Sequence, residues 1–203
     1  MRESDFRNLS GWVDIDRLHL ESFTKSQKIR YFHARVQRTV IAPLRRMCAN
    51  VRLGTKHENP LLCFGTCICC AIEALGKFYT GRLSGRGVSR ANFIAFVENY
   101  MNPGWLGHSF AGQRYVDQLW ASFRNGLAHG FVIKRGGFEY QRVPFRVKIV
   151  GGVQQLEVDP ARLFRDFRRG LATFVRDLRG ARPLDPLFVN FYIAFDGVFI
   201  RGV

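Results

Sequence analysis

The segment Ser122-Phe123-Arg124-Asn125-Gly126-Leu127-Ala128-His129-Gly130 sets an arginine five residues before a histidine, with an asparagine directly after the arginine. Arginine is a fixed cation whose planar fork can grip a phosphate with two hydrogen bonds. Histidine exchanges a proton near neutral pH. A pocket holding both has the groups to bind an RNA phosphate and break the adjacent bond without a metal. On an ideal helix Arg124 and His129 lie about 140° apart, whereas Asn125 and His129 share a face. The arginine is long enough to swing toward them. Gly126 and small Ala128 leave room for a second copy of the helix. A plain structural role also suits the pair: a surface arginine, and a histidine whose cationic form is favoured at a helix C-terminus.

Metal-free RNA cleavage uses the neighbouring 2′-OH as nucleophile and expels the 5′-oxygen. One group accepts a proton and another donates one. The motif offers one histidine, so two chains would supply both groups. Arg124 would stabilise charge on the phosphorane, and Asn125 would hold a phosphate oxygen or orient His129. DNA lacks the nucleophile and should survive.

Positioning these groups requires helices. From about 24 to 51 the apolar residues Ile29, Phe32, Val36, Val40 and Leu44 recur at helical spacing, and Pro43 is a candidate kink. Asn59-Pro60 starts a second helix over 61–79, ended by Gly81. It is apolar nearly all round, which predicts a central position. Ser89 is the candidate N-cap of a third helix reaching Tyr100. A fourth runs from about Gly112 to His129, with Gly130 as its stop. Phe131–Tyr140 then reads as strand, Gly136-Gly137 turn, strand. Phe145–Val150 alternates, and Gly151-Gly152 turns it into 154–158. Asp159-Pro160 opens a helix over 160–179 with Leu163, Phe167, Leu171, Phe174 and Leu178 on its apolar side, and Asp185-Pro186 opens a last short one. The expected fold is mainly α: a single domain over 1–203, with a helical core at about 24–130 and 160–200 and a small antiparallel β-hairpin or sheet insertion at about 131–158.

Thirty-one Lys+Arg against sixteen Asp+Glu give a net charge of +15. That excess must sit largely on the surface and favours a phosphate polymer as partner, by counterion release. Anionic membranes and acidic proteins would also satisfy it. Five cysteines, four of them between Cys63 and Cys70, do not resemble a secreted disulfide framework. No apolar leader opens the chain, and Leu187–Ile200 is too short to span a bilayer. A cytoplasmic protein with no membrane partner is expected.

The run Arg124-Asn125-Gly126-Leu127-Ala128-His129 resembles the signature of the HEPN superfamily: arginine, a polar residue, a few more positions, then histidine, on a late helix of a small bundle. The helices over 23–130 suit that layout, and Ile72-Glu73-Ala74-Leu75-Gly76 looks like the long central helix of some members. The resemblance implies a HEPN-like bundle and a homodimer with both motifs facing one cleft. It also implies a metal-independent endoribonuclease that needs no cofactor, with Arg124, Asn125 and His129 as catalytic residues. Family members include toxins held in check by partner proteins and other defence effectors, so an inhibitory antitoxin or regulator is a possible partner. The alternative is a non-catalytic HEPN-like module that binds nucleic acid or protein; a third reading is a basic interaction protein.

Other residues carry competing readings. Glu73 is an acid in an apolar helix and needs a partner if buried: either a structural arginine of the bundle, or Arg124 or His129, which it would orient. Cys63, Cys67 and Cys70 share a helical face, but no second ligand pair follows, so core packing is favoured over a metal site. Lys134, Arg135, Arg142, Arg146 and Lys148, with Phe138 and Tyr140, form either an RNA-binding surface or a solvated sheet face. Arg162, Arg165, Arg168 and Arg169 are expected to supply general field. Asp14, Asp16 and His19 are read as a solvated segment, Trp12 as an anchor, Gly85-Arg86-Gly87 as a connection, and His108 as an ordinary loop histidine.

Overall fold

A computed structural model describes residues 20–52, 61–101, 109–110, 113–130, 133, 136–139 and 145–202. Trp12, Asp14, Asp16, His19, His108, Lys134, Arg135, Tyr140 and Arg142 lie outside them. The chain is a helical bundle with a small sheet insertion, the class that the sequence predicts.

Helix α1 (Lys25–Val36) starts on a capping box: the Thr24 hydroxyl accepts from the Gln27 N–H and the Gln27 side chain accepts from the Thr24 N–H. It runs without a break through a π-helical turn, Gln37–Ile41, into α2 (Ala42–Arg52). Pro43 lies just beyond that turn. Its ring has no N–H to give to the carbonyl four residues back and would clash with it. The wider turn, in which the Ala42 N–H donates to the Gln37 carbonyl, absorbs the mismatch without splitting the helix.

Helix α3 (Leu61–Thr80) is the centre of the bundle, packing against α2 and against α4 (Val88–Tyr100). Gly81, at φ +71°, ends it as expected. It has the length and apolarity of a membrane span, yet over half of it is buried among the other helices. Ile68 and Ile72 are fully buried. At Gly76 a side chain would run into the Asn92 backbone of α4. Helix α4 starts at Val88 after Gly87, so Ser89 is inside it and is not its cap.

A two-residue strand pair follows, β1 (Ser109–Phe110) antiparallel to β2 (Gln113–Arg114). The motif helix then begins at α5 (Tyr115–Gln118), later than the predicted start near Gly112. It passes through a second π-helical turn, Leu119–Arg124, into α6 (Asn125–Gly130). It packs on α3 and α4.

The insertion comprises β3 (Gly136–Phe138), β4 (Phe145–Val150) and β5 (Val153–Val158), in the order β3-β5-β4. The β4–β5 hairpin is antiparallel as predicted, with Gly151 and Gly152 both at positive φ in its turn. Gly136-Gly137 is not a turn. It is the start of β3, which pairs parallel with β5, so the sheet is mixed. Gly136 sits at φ +151° against the Leu156 carbonyl, where any Cβ would collide. Close backbone approach, and not chain reversal, is what glycine supplies here.

Helix α7 (Pro160–Gly180) is capped by the Asp159 side chain, which accepts from the Arg162 N–H at 2.8 Å. Its apolar side is buried as predicted. Helix α8 (Pro186–Phe195) continues through a third π-helical turn, Asp196–Arg201. Phe32 of α1 meets Phe78, Phe174 and Phe191 at ring distances of 4.6, 6.0 and 5.3 Å, joining α1, α3, α7 and α8. Buried Lys28 places its ammonium 3.0 Å from Asp196 and 3.9 Å from the Tyr192 ring centre. The salt bridge satisfies a cation that could not be buried alone.

Gly76→Ala should overpack the α3–α4 contact and destabilise the fold by about 1–3 kcal/mol. Urea unfolding followed by far-UV circular dichroism measures the shift in midpoint.

Candidate functional site

The π-helical turn that ends at Arg124 forms because the Asn125 N–H reaches back five residues to the Trp120 carbonyl. Such turns are rare and recur at functional positions. Trp120 itself is buried, and the Arg124 guanidinium carbon lies 4.7 Å from its ring centre. That is within cation–π range.

Arg124 also meets Glu73. Its Nε donates to Glu73 Oε2 at 2.8 Å and its Nη2 approaches the same oxygen at 2.6 Å. On the opposite side Nη1 donates to Asn125 Oδ1 at 3.4 Å, a long and weak bond. The arginine side chain is 15% exposed and the glutamate 9%. Glu73 thus takes one edge of the guanidinium, Trp120 covers it, and Nη1 lies toward Asn125. The acid in the apolar helix pairs with the motif arginine itself, so the two sequence readings of Glu73 meet in one contact. Trp120 was not among the sequence candidates, although its spacing of four residues from Arg124 on a helix signals this contact.

His129 lies on the backbone of α6, five residues beyond Arg124. The helical rise separates their Cα atoms by about 7.5 Å along the axis. Its imidazole is outside the described part. Gly126 is buried, so the gap it leaves faces the bundle and not an approaching partner. Among the described side chains of residues 119–127, Ala121 is exposed.

The thiols correct the sequence expectation. Cys69 is buried, but Cys63, Cys67 and Cys70 are exposed, forming with Leu62 and Ala74 an uncovered stripe on α3. Core packing fails for these three because α3 is covered on most of its circumference, not all of it. Cys70 lies one turn before Glu73, on the same helix. Burial pushes the Cys70 thiol up from its ordinary range, while the Arg124 guanidinium pulls it down. Burial also raises Cys67, with the neighbouring sulfurs of Cys70 and Cys63 adding to it. Among the described residues no cluster of His, Cys, Asp and Glu side chains has the makings of a metal site.

On the sheet, Arg146 reaches Glu157 at 2.6 Å and Glu139 at 3.0 Å, and Lys148 reaches Glu157 at 3.4 Å. Hydrogen bonds from Arg146 hold the Glu157 carboxyl below its usual range. These two cations are half-exposed and lie within a group that also carries two carboxylates. Phe138 does not offer a stacking face. Its ring packs against Phe64 and Phe123 at 5.9 and 5.0 Å, and it fills the space over Gly65, where a Cβ would approach it to 2.5 Å.

No protein-family model, curated protein or solved structure matches this chain.

Two outcomes follow from this geometry. Glu73→Ala should leave the Arg124 cation without its carboxylate and destabilise the fold by about 2–3 kcal/mol, less than the ~3–5 kcal/mol of a fully buried pair because some solvent reaches it; thermal and urea melts read this. Raised thiol pKa values mean little thiolate at neutral pH, so iodoacetamide should label Cys67 and Cys70 slowly at pH 7 and much faster once pH passes the ordinary thiol range of about 8.5. Peptide mass spectrometry should find Cys69 protected throughout.

Proposed function

We propose that this chain is a metal-independent endoribonuclease of the HEPN type, acting as a homodimer. The observation that carries the reading is the clamp on Arg124: Glu73 on one edge, Trp120 over the face, and Asn125 beside Nη1. A fixed guanidinium is what a phosphorane needs, because a preorganised cation requires no reorganisation as charge develops. The phosphate would approach from the Nη1 side, with the Asn125 amide on a second oxygen. His129 from one protomer would take the 2′-OH proton, and His129 from the other would protonate the departing 5′-oxygen. A 2′,3′-cyclic phosphate and a 5′-OH result. Ala121, Cys67, Cys70 and Ala74 give the exposed surface beside the clamp low relief, which suits approach of a second copy. The net charge of +15 supplies attraction for the polymer.

A ribonuclease at work in the cytoplasm that makes it needs restraint. An inhibitory antitoxin or regulator protein is the corresponding partner, and a toxin or defence effector the corresponding role.

The Glu73 contact also favours a second reading. A neutralised, mostly covered arginine suits a structural pair in a non-catalytic module that binds nucleic acid or protein.

Incubation of structured and single-stranded RNA in EDTA separates the two. Wild type should cut RNA and spare DNA, with cyclic-phosphate ends. His129→Ala should lower the rate by about 100- to 10,000-fold with unchanged circular dichroism, and Arg124→Ala should do the same when assayed below its lowered melting midpoint, where it is still folded. Full activity in both variants, or no RNA cleavage by a folded dimer, overturns the ribonuclease.

A further inference from the structure

The outer face of α7 carries a feature that the Arg124 site does not use. Arg165, Arg168, Arg169, Arg176 and Arg179 are all exposed. At about 100° per residue they fall within a stripe only about 100° wide, and it runs about 21 Å along the axis. Ala172 lies inside the same stripe. Arg176 has a contact with Asp177 at 3.1 Å, and Arg168 sits over the Phe164 ring at 5.8 Å. Arg165, Arg169 and Arg179 have no carboxylate partner among the described residues. The sequence reading of this helix gave general field only; the stripe is ordered beyond that.

The ridge does not stop at the helix end. A cleft of about 250 Å³ opens there, lined by Arg179 together with Lys25, Ser26, Ile29 and Arg30 of α1. No carboxylate is among the described residues that line it. Lys25 bonds the carbonyls of Arg179 and Ala181, which fixes α1 against the end of α7.

A row of like charges on one helix face repels itself and gains nothing for the fold. It gains when a regularly spaced polyanion lies along it. Arginine suits this use because it is weakly hydrated and its fork matches phosphate geometry. We infer that the arginine face of α7, with the cleft at its end, is a track for the phosphate backbone of RNA, separate from the Arg124 site. The choice of RNA over other polyanions rests on the ribonuclease reading. The motif and the ridge are on different helices, each packed on α3 and α4, and the ridge arginines point away from that shared core. The substrate class is therefore an RNA long enough to occupy the ridge as well as the cleavage site. A fragment that fills only the latter gains nothing from α7.

The test uses the His129→Ala chain, so binding is read without cleavage. Fluorescence anisotropy follows a labelled RNA of about 30 nucleotides across a salt series, with and without R165Q/R169Q/R176Q/R179Q. The glutamines keep the helix and remove four charges. The expected result is at least about a tenfold loss of affinity near 0.1 M salt, and a log–log salt slope smaller by up to about 3, from ~0.7 per lost single-strand phosphate contact. Unchanged affinity and slope overturn the inference. So does weakened binding to phosphatidylserine vesicles with RNA binding intact, which assigns the ridge to a membrane surface. If the fourfold variant does not fold, Arg169→Glu alone should still weaken RNA binding several-fold, and no change there overturns the inference equally. Absence of ribonuclease activity in the wild type would not alter these binding results. Ridge variants that bind like their parent would leave the Arg124 proposal standing.

Discussion

A carboxylate placed in the most apolar helix of the chain constrains the rest of the structure. Glu73 is 7% exposed on a helix wrapped by its neighbours, and a charge there must be met. Arg124 meets it, and in doing so fixes the turn of the motif helix that faces α3. The π-helical turn before Asn125 and the Trp120 ring under the guanidinium both lie at that contact. An ion pair of this kind contributes little net stability, because desolvation offsets much of the attraction. Its value lies in register: the motif helix has one rotation at which the charge is satisfied.

Charge elsewhere is sorted by surface. The sheet gathers Arg146, Lys148, Glu139 and Glu157 into a nearly balanced group. Helix α7 presents arginines in a row, with the acidic Asp166 and Asp177 off that row. Lys28 is taken out of water altogether and held by Asp196 and two aromatic rings. A formal +15 is therefore not spread evenly. Among the described residues the sheet group and the Lys28 site are internally compensated, while the outer face of α7 is strongly positive.

Much of the architecture was legible in the sequence because periodicity and caps agree. Asp159-Pro160, Gly81, Gly151-Gly152 and the apolar side of α7 each carry a local signal that tertiary packing does not override. Gly136-Gly137 misled for a physical reason: glycine marks both turns and close backbone approach, and only the position of β5 distinguishes them. Exposure of Cys63, Cys67 and Cys70 was illegible since residue type gives burial on average, while the uncovered side of α3 depends on where other helices sit. Glu73 could be singled out as needing a partner, with a bundle arginine, Arg124 or His129 as the candidates, but choosing Arg124 required the fold. The three π-helical turns among the described residues left no trace in the hydrophobic pattern beyond Pro43, which explains one of them.

The Lys28–Asp196 contact joins residues 168 positions apart. The apolar side of α1, with Phe32 against Phe191, has part of its cover supplied by α8, which is made long after it. At ordinary translation rates that delay is on the order of ten to thirty seconds. Through that interval the aromatic side of α1 is uncovered, and closing so long a loop is slow compared with forming the helices themselves. The clasp thus closes late, and folding yield depends on what shields α1 on the ribosome until α8 arrives.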